Sequence, residues 1–240
     1  MWHAFWDFLF NLASFGLAVL WGLVLGNFIR GVAIQTVGDP TIPFWTSFKP
    51  DQSPGLIDWY TLAVGGFGLL LLTIHGANFL AWKTTGELHQ RAKKFSSNGM
   101  WATIPALATL VGLTIWLRPA LIDRFMTYPL GFVFPSMVMV ALVVLIMALR
   151  QGRAGKAFLG SSLMILFLLV TVAFSLFPNF MVDVAGKANV TAFNSMTVVK
   201  NLQLGLVWFG VGFLLLLGYV VYMYKSFWGK VPEDNQRGVY

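Results

Sequence analysis

The chain has no cysteine, and only nine acidic residues and three histidines in 240. Without cysteine there are no disulfides, no thiolate metal sites and no cysteine nucleophile. Charge of either sign is scarce, at 10% of residues, where a soluble domain carries about 25%. The sequence shows no Gly-rich phosphate loop, no Ser/His/Asp set and no paired intramembrane carboxylates. Chemistry complete within this one chain is therefore not visible, and a scaffold or partner-dependent role is favoured. The net charge of +7 does not call for nucleic acid, because the loops account for it.

What the chain has in abundance is hydrocarbon: 58% hydrophobic residues, with 22 Phe and 10 Trp. Six apolar runs stand out, at Phe5–Ile29, Leu56–Trp82, Met100–Leu117, Pro129–Leu149, Phe158–Phe177 and Leu202–Tyr224. A helix of about 20 apolar residues crosses the ~30 Å core of a bilayer. The runs lack the period-2 alternation of barrel strands, so they read as helices. The fold expected is an all-α membrane protein of about six transmembrane helices, forming one domain over residues 1–240. Trp2, Trp6, Trp59, Trp82, Trp101, Trp116 and Trp228 fall near predicted helix ends, where amphipathic rings prefer to sit.

The loops give an orientation. Met1–Ala4, Lys83–Gly99, Arg150–Ala157 and Lys225–Tyr240 share one side and hold ten of the 16 Lys and Arg. The other side holds six, spread over longer loops. The positive-inside rule places the richer side, and with it both termini, in the cytoplasm. No cleavable signal peptide is expected, since the first apolar run opens with Asp7 rather than a basic segment and is too long. The connection Arg30–Gly55, rich in proline, has two readings: a plain connector, or a loop anchored on a partner by Phe44, Trp45 and Phe48. Pro178–Lys200 has the same two. Gly22 and Gly26 form a small-xxx-small face for close helix approach. Glycines 65, 66 and 68, and glycines 205, 210 and 212, are expected to serve likewise. Pro105 and Pro135 are expected in the first turn or two of their helices.

Ionisable residues within a span are costly and count as functional candidates. Asp7 lies within the first turn or so of helix one, where an acid suits the helix dipole. Asn27 and Arg30 are expected to make polar contacts at the outer end of that helix. His75 is the histidine well inside a span, about two turns before the cytoplasmic end of helix two. It either hydrogen-bonds across helices or serves a proton, a quinone or a ligand shared with another chain. One such histidine cannot build a two-histidine haem site. A metal cluster would need several ligands on facing helices. No cofactor or metal is expected on this chain alone. Lys83, Glu87 and Arg91 recur at i, i+4 and are expected on one face of a helical extension. A solvated, self-paired face is the plain alternative for that trio.

Two motifs narrow the field. The first is Phe5-Trp-Asp-Phe-Leu-Phe-Asn-Leu-Ala-Ser-Phe, followed by Leu23-Val-Leu-Gly-Asn-Phe-Ile-Arg-Gly-Val. The second starts at Thr73 and reads Thr-Ile-His-Gly-Ala-Asn-Phe-Leu-Ala-Trp-Lys-Thr-Thr-Gly-Glu-Leu-His-Gln-Arg-Ala. Together they resemble subunit II of the cytochrome bd quinol oxidases. Ser175-Leu-Phe-Pro-Asn-Phe adds a weaker likeness. The resemblance extends over essentially the whole chain. It implies a helical bundle paired with a subunit I of similar build, in a complex that oxidises quinol and reduces dioxygen to water. It further implies that haems b and d and the main quinol site belong to subunit I. Subunit II would then stabilise the assembly and help line proton or oxygen routes. The implied location is a prokaryotic plasma membrane, with lipid and quinone as small-molecule neighbours.

One departure stands out. Family members begin with about three further helices, so helix one here is expected to match a middle helix of the family. A fragment, a downstream start and one half of a split subunit are the alternatives. A small single-helix subunit, or a chain supplying the leading helices, joins the expected partners. Two readings from other classes compete with the oxidase subunit: a six-helix transporter or channel, and an assembly factor without turnover.

Overall fold

A computed structural model describes residues 2–33, 42–51, 53–184, 189–195 and 199–230. Its elements run α1 (Trp2–Arg30), α2 (Trp59–Lys83), α3 (Gly86–Leu117), α4 (Ala120–Thr127), a 3-10 turn (Pro129–Phe132), α5 (Val133–Arg150), α6 (Ala154–Leu176), β1 (Asn179–Met181), β2 (Val190–Thr191) and α7 (Val199–Ser226). Among the described residues, six helical segments are long and apolar enough to cross a membrane. The expected all-α membrane fold is what the chain adopts.

The core lies between α2, α3, α5 and α6, around Leu71, Met100, Leu142, Leu145 and Met164. Gly160 lets α6 come close to α5, because a Cβ there would stand 3.0 Å from the Leu145 nitrogen. α1 joins the bundle through its second half. A Cβ on Gly22 would lie 2.5 Å from Gly65 Cα, and one on Gly26 would lie 3.0 Å from Thr61 Cα. The small-xxx-small face therefore brings two backbones together, as such faces do.

Several expectations need correction. α3 begins at Gly86, not near Met100. The polar stretch before Met100 continues the same helix, so its 32 residues span roughly 48 Å at ~1.5 Å each, well beyond the hydrocarbon. Pro105 consequently sits deep within α3 rather than in its first turns, and it deprives the carbonyl four residues back of an intrahelical donor. A Cβ on Gly205, Gly210 or Gly212 of α7 would meet no other described element within 4 Å, and α7 buries no residue against the described rest of the chain. Among the described residues it is tied at one end, where Trp228, just past it, meets Trp82 edge-on at 6.5 Å.

The described parts of both long connections make local hydrogen bonds. Residues 34–41 and 52 lie outside the described part, but the remainder folds back on itself. The Thr46 hydroxyl donates to the Ser53 carbonyl (3.0 Å) and accepts from Gly55 N (2.8 Å). Phe44, Trp45 and Phe48 keep their rings exposed. The second connection forms a short antiparallel hairpin, with Asn179 opposite Thr191. Beside it, Val32 pairs with Asp183, as Val32 N donates to the Val182 carbonyl (2.9 Å) and Val184 N to the Val32 carbonyl (3.0 Å).

Candidate functional site

Two polar clusters interrupt the apolar bundle, one near each end of α2. The first forms where α1 stops and α2 starts. Asp58 has extended backbone and caps α2, its Oδ1 accepting from Tyr60 N (2.8 Å) and Thr61 N (2.9 Å). Thr61 Oγ1 accepts from Asp58 N in return (2.9 Å), which completes a capping box. The other carboxylate oxygen forms an ion pair with Arg30 Nη1. Both partners are buried, at 2% and 0% exposure.

The rest of the Arg30 guanidinium is fully used. Nη2 donates to Asn27 Oδ1 (2.6 Å) and to the Gly55 carbonyl (2.9 Å), and Nε to the Gly31 carbonyl (3.0 Å). Asn27 Nδ2 donates to the Leu23 and Leu56 carbonyls, both at 2.8 Å. Arg118, just past α3, donates from Nη1 to the Arg30 carbonyl (2.6 Å). Burial draws the Arg118 guanidinium below its ordinary pKa. Thr114 gives its hydroxyl proton to the Leu110 carbonyl, so the Tyr60 hydroxyl donates to Thr114 Oγ1 (2.8 Å).

The charges also suit the helix ends that hold them. Asp58 stands at the positive N-terminus of α2, and Arg30 in the last turn of α1, where the dipole is negative. A desolvated ion pair persists when its geometry and its extra hydrogen bonds offset the loss of water. Here the other guanidinium nitrogens and the second carboxylate oxygen are all hydrogen-bonded. The cluster is built as a brace.

The second cluster centres on His75. Its Nδ1 lies 2.8 Å from Ser161 Oγ on α6. The serine proton goes to the Phe158 carbonyl (2.9 Å), so Ser161 accepts and His75 Nδ1 carries the hydrogen. Nε2 is then the acceptor nitrogen of the ring. The imidazole stacks on Phe158 (centroids 4.7 Å, 23°), and Phe158 stacks on Trp82 (5.5 Å, 20°). The Lys83 ammonium lies 4.6 Å from the Trp82 ring centre. One turn along α2, buried Asn78 accepts from Ser96 Oγ of α3 (2.6 Å). Replacing Ser161 by alanine strands the His75 Nδ1 hydrogen. The expected loss is about 1–3 kcal/mol, read as a lowered thermal midpoint of the purified chain in detergent.

The remaining sequence candidates are scattered. Asp7 is exposed in the second turn of α1, beyond the first, and its carbonyl accepts from Asn11 Nδ2 (2.8 Å). Lys83, Glu87 and Arg91 do not share a helix face. Lys83 ends α2, Thr84 caps it, and Gly86 at φ +69° turns the chain into α3. Lys83 Nζ reaches the Phe227 carbonyl beyond α7 (3.2 Å). Glu87 and Arg91 face each other at 3.6 Å on the exposed side of α3, where an ion pair contributes little.

Sequence reading missed Asp58, Thr61, Arg118 and Ser161 as partners. Asp58 with Thr61 three residues on, just before an apolar run, was a readable capping signal. The other two are brought in only by tertiary packing. As a haem site, the chain's residues do not fit two-histidine ligation. His89 is engaged with the Ala81 carbonyl at 2.7 Å, His3 lies in the first turn of α1, and His75 is wedged between Ser161 and Phe158. Among the described residues, no three His, Asp or Glu side chains converge in a metal-holding group.

Comparison with known proteins places this architecture. The family described as "Cytochrome bd terminal oxidase subunit II" matches residues 1–227. A Haemophilus influenzae protein named "Probable cytochrome oxidase subunit 2" is 24% identical over 270 aligned residues, covering 100% of this chain and 70% of its own length. The "Cytochrome bd-I ubiquinol oxidase subunit 2" of Escherichia coli K12 is 20% identical over 262, covering 98% of this chain and 68% of its own length. With its match running through all six helical segments long and apolar enough to cross a membrane among the described residues, this chain belongs to the cytochrome bd terminal oxidase subunit II family.

Proposed function

We propose that the chain serves as the haem-free partner in a quinol:dioxygen oxidase, stabilising a haem-bearing subunit I in a prokaryotic plasma membrane. The observation that carries this reading is the family match over residues 1–227. The geometry supports it. α7 is a 28-residue apolar helix with no buried residue and with glycines whose Cβ directions are open, a surface suited to close packing by another chain's helices. Haems b and d belong to that partner. Both termini face the cytoplasm, supported by the excess of cations on that side's loops.

Within the chain, Asn27 and Arg30 hold α1 to α2. His75 is the residue placed to pass a proton, since its Nε2 is left as an acceptor once Ser161 holds Nδ1. Asp7, Lys83, Glu87 and Arg91 act at the membrane surface.

Affinity purification of the tagged chain from its native membrane in mild detergent tests the assignment. The expected result is co-elution of a larger haem-bearing membrane protein, with dioxygen uptake on addition of a quinol. Stoichiometric haem on the isolated chain would overturn it. So would solute uptake by the chain reconstituted alone, or full activity of an assembled oxidase from which the chain has been stripped.

A further inference from the structure

Charge is one-sided at the end of the bundle where α2 runs into α3 and α5 into α6. Residues 83–97 and 150–157 together carry seven Lys and Arg and one acid, Glu87, which faces Arg91. One cation of α3 meets the α5–α6 turn. Lys93 Nζ lies 3.0 Å from where a Cβ on Gly152 would stand, so the α3 ammonium rests on that turn. Arg150, the last residue of α5, is exposed and forms no ion pair with any described residue.

Directly beneath these cations, α3 and α5 leave a groove. Ser97, Met100, Trp101 and Ile104 line it from α3, with Met100 largely buried at its base, and Ile146, Leu149 and Arg150 line it from α5. The groove thus joins an apolar trough to a cationic mouth. A free anion would use only the mouth, and an uncharged lipid only the trough. An amphiphile with an anionic head satisfies both. Basic pockets between membrane helices take such head groups, and a guanidinium matches a phosphate with two parallel hydrogen bonds.

We propose that this groove binds one anionic glycerophospholipid, with an acyl chain along Ile104, Ile146 and Leu149 and its phosphate at Arg150. The site requires a membrane-embedded chain but not the oxidase assignment, so the two stand or fall separately.

Native mass spectrometry of the full purified chain, titrated with dioleoyl phosphatidylglycerol, dioleoyl phosphatidylcholine or inorganic phosphate, tests it. The wild-type chain is expected to retain one phosphatidylglycerol in preference to phosphatidylcholine, and to ignore phosphate at the same concentration. Arg150→Gln is expected to lower that preference about fivefold, the effect of one cation at a membrane surface. Ile146→Trp keeps every cation but fills the trough, and is expected to expel the lipid. Arg150 is exposed, so its variant remains informative if the tryptophan variant does not fold. Equal retention of the two lipids by the wild type would overturn the proposal. So would an unchanged preference in Arg150→Gln, or displacement of the lipid by phosphate.

Discussion

Asp58→Ala is expected to destabilise the chain by about 3–5 kcal/mol, the cost of leaving one member of a buried ion pair unpaired. Arg30 would then keep its charge at 2% exposure without a counter-ion. The same substitution removes the cap of α2 from Tyr60 N and Thr61 N, which adds about 0.5–2 kcal/mol. Marginal stability makes such a loss decisive. The variant should fall to a small fraction of wild-type abundance in the membrane, and what is recovered should unfold at much lower denaturant. The double variant Arg30→Met/Asp58→Asn separates charge from capping. Asparagine still accepts from the two backbone donors, and methionine fills much of the guanidinium's space. It should recover much of the loss, because an uncharged pair leaves no ion without water. Wild-type abundance and stability in Asp58→Ala would refute the account of the brace.

The second large effect is expected at Gly22. Valine there places a Cβ 2.5 Å from Gly65 Cα, which is backbone and cannot swing aside. Overpacking of this kind typically costs about 1–3 kcal/mol, and rigid opposition puts this site at or above the upper end. The consequence extends beyond the contact, because parting α1 from α2 also pulls Arg30 from Asp58. Gly66→Val is the matched control on the same pair of helices, since its Cβ meets nothing within 4 Å. It should stay within about 0.5 kcal/mol of wild type. Unfolding of both variants in detergent, followed by tryptophan fluorescence, makes the comparison. Equal stability of Gly22→Val and Gly66→Val would show that α1 and α2 do not approach as described.

The membrane spans were legible because length and apolarity alone decide them. The start of α3 was not, since its first turns are polar and the apolar run begins only at Met100. The break at Thr84-Thr85-Gly86 was misread as helix. The i, i+4 pattern of Lys83, Glu87 and Arg91 runs straight across it, while the positive φ of Gly86 belongs to the turn. Asn27 and Arg30 could be singled out as polar residues at a helix end. Their partners could not all be named: Asp58 announces only its cap, and Arg118 lies 88 residues along the chain from Arg30. The hydrogen bond between His75 and Ser161, 86 residues apart, is likewise a product of α2 packing on α6. Glycine spacing in α7 promised close neighbours, and among the described residues of this chain none came.

The ion pair joins consecutive helices, and this bears on how the chain enters lipid. α1 alone ends in an arginine, and α2 alone begins behind an aspartate. Delivered singly, each would carry a bare charge towards hydrocarbon. Folded as a helical hairpin, they present a neutral end with its donors and acceptors already matched. The smallest piece of this protein that the bilayer can accept cheaply at that end is therefore the pair of helices.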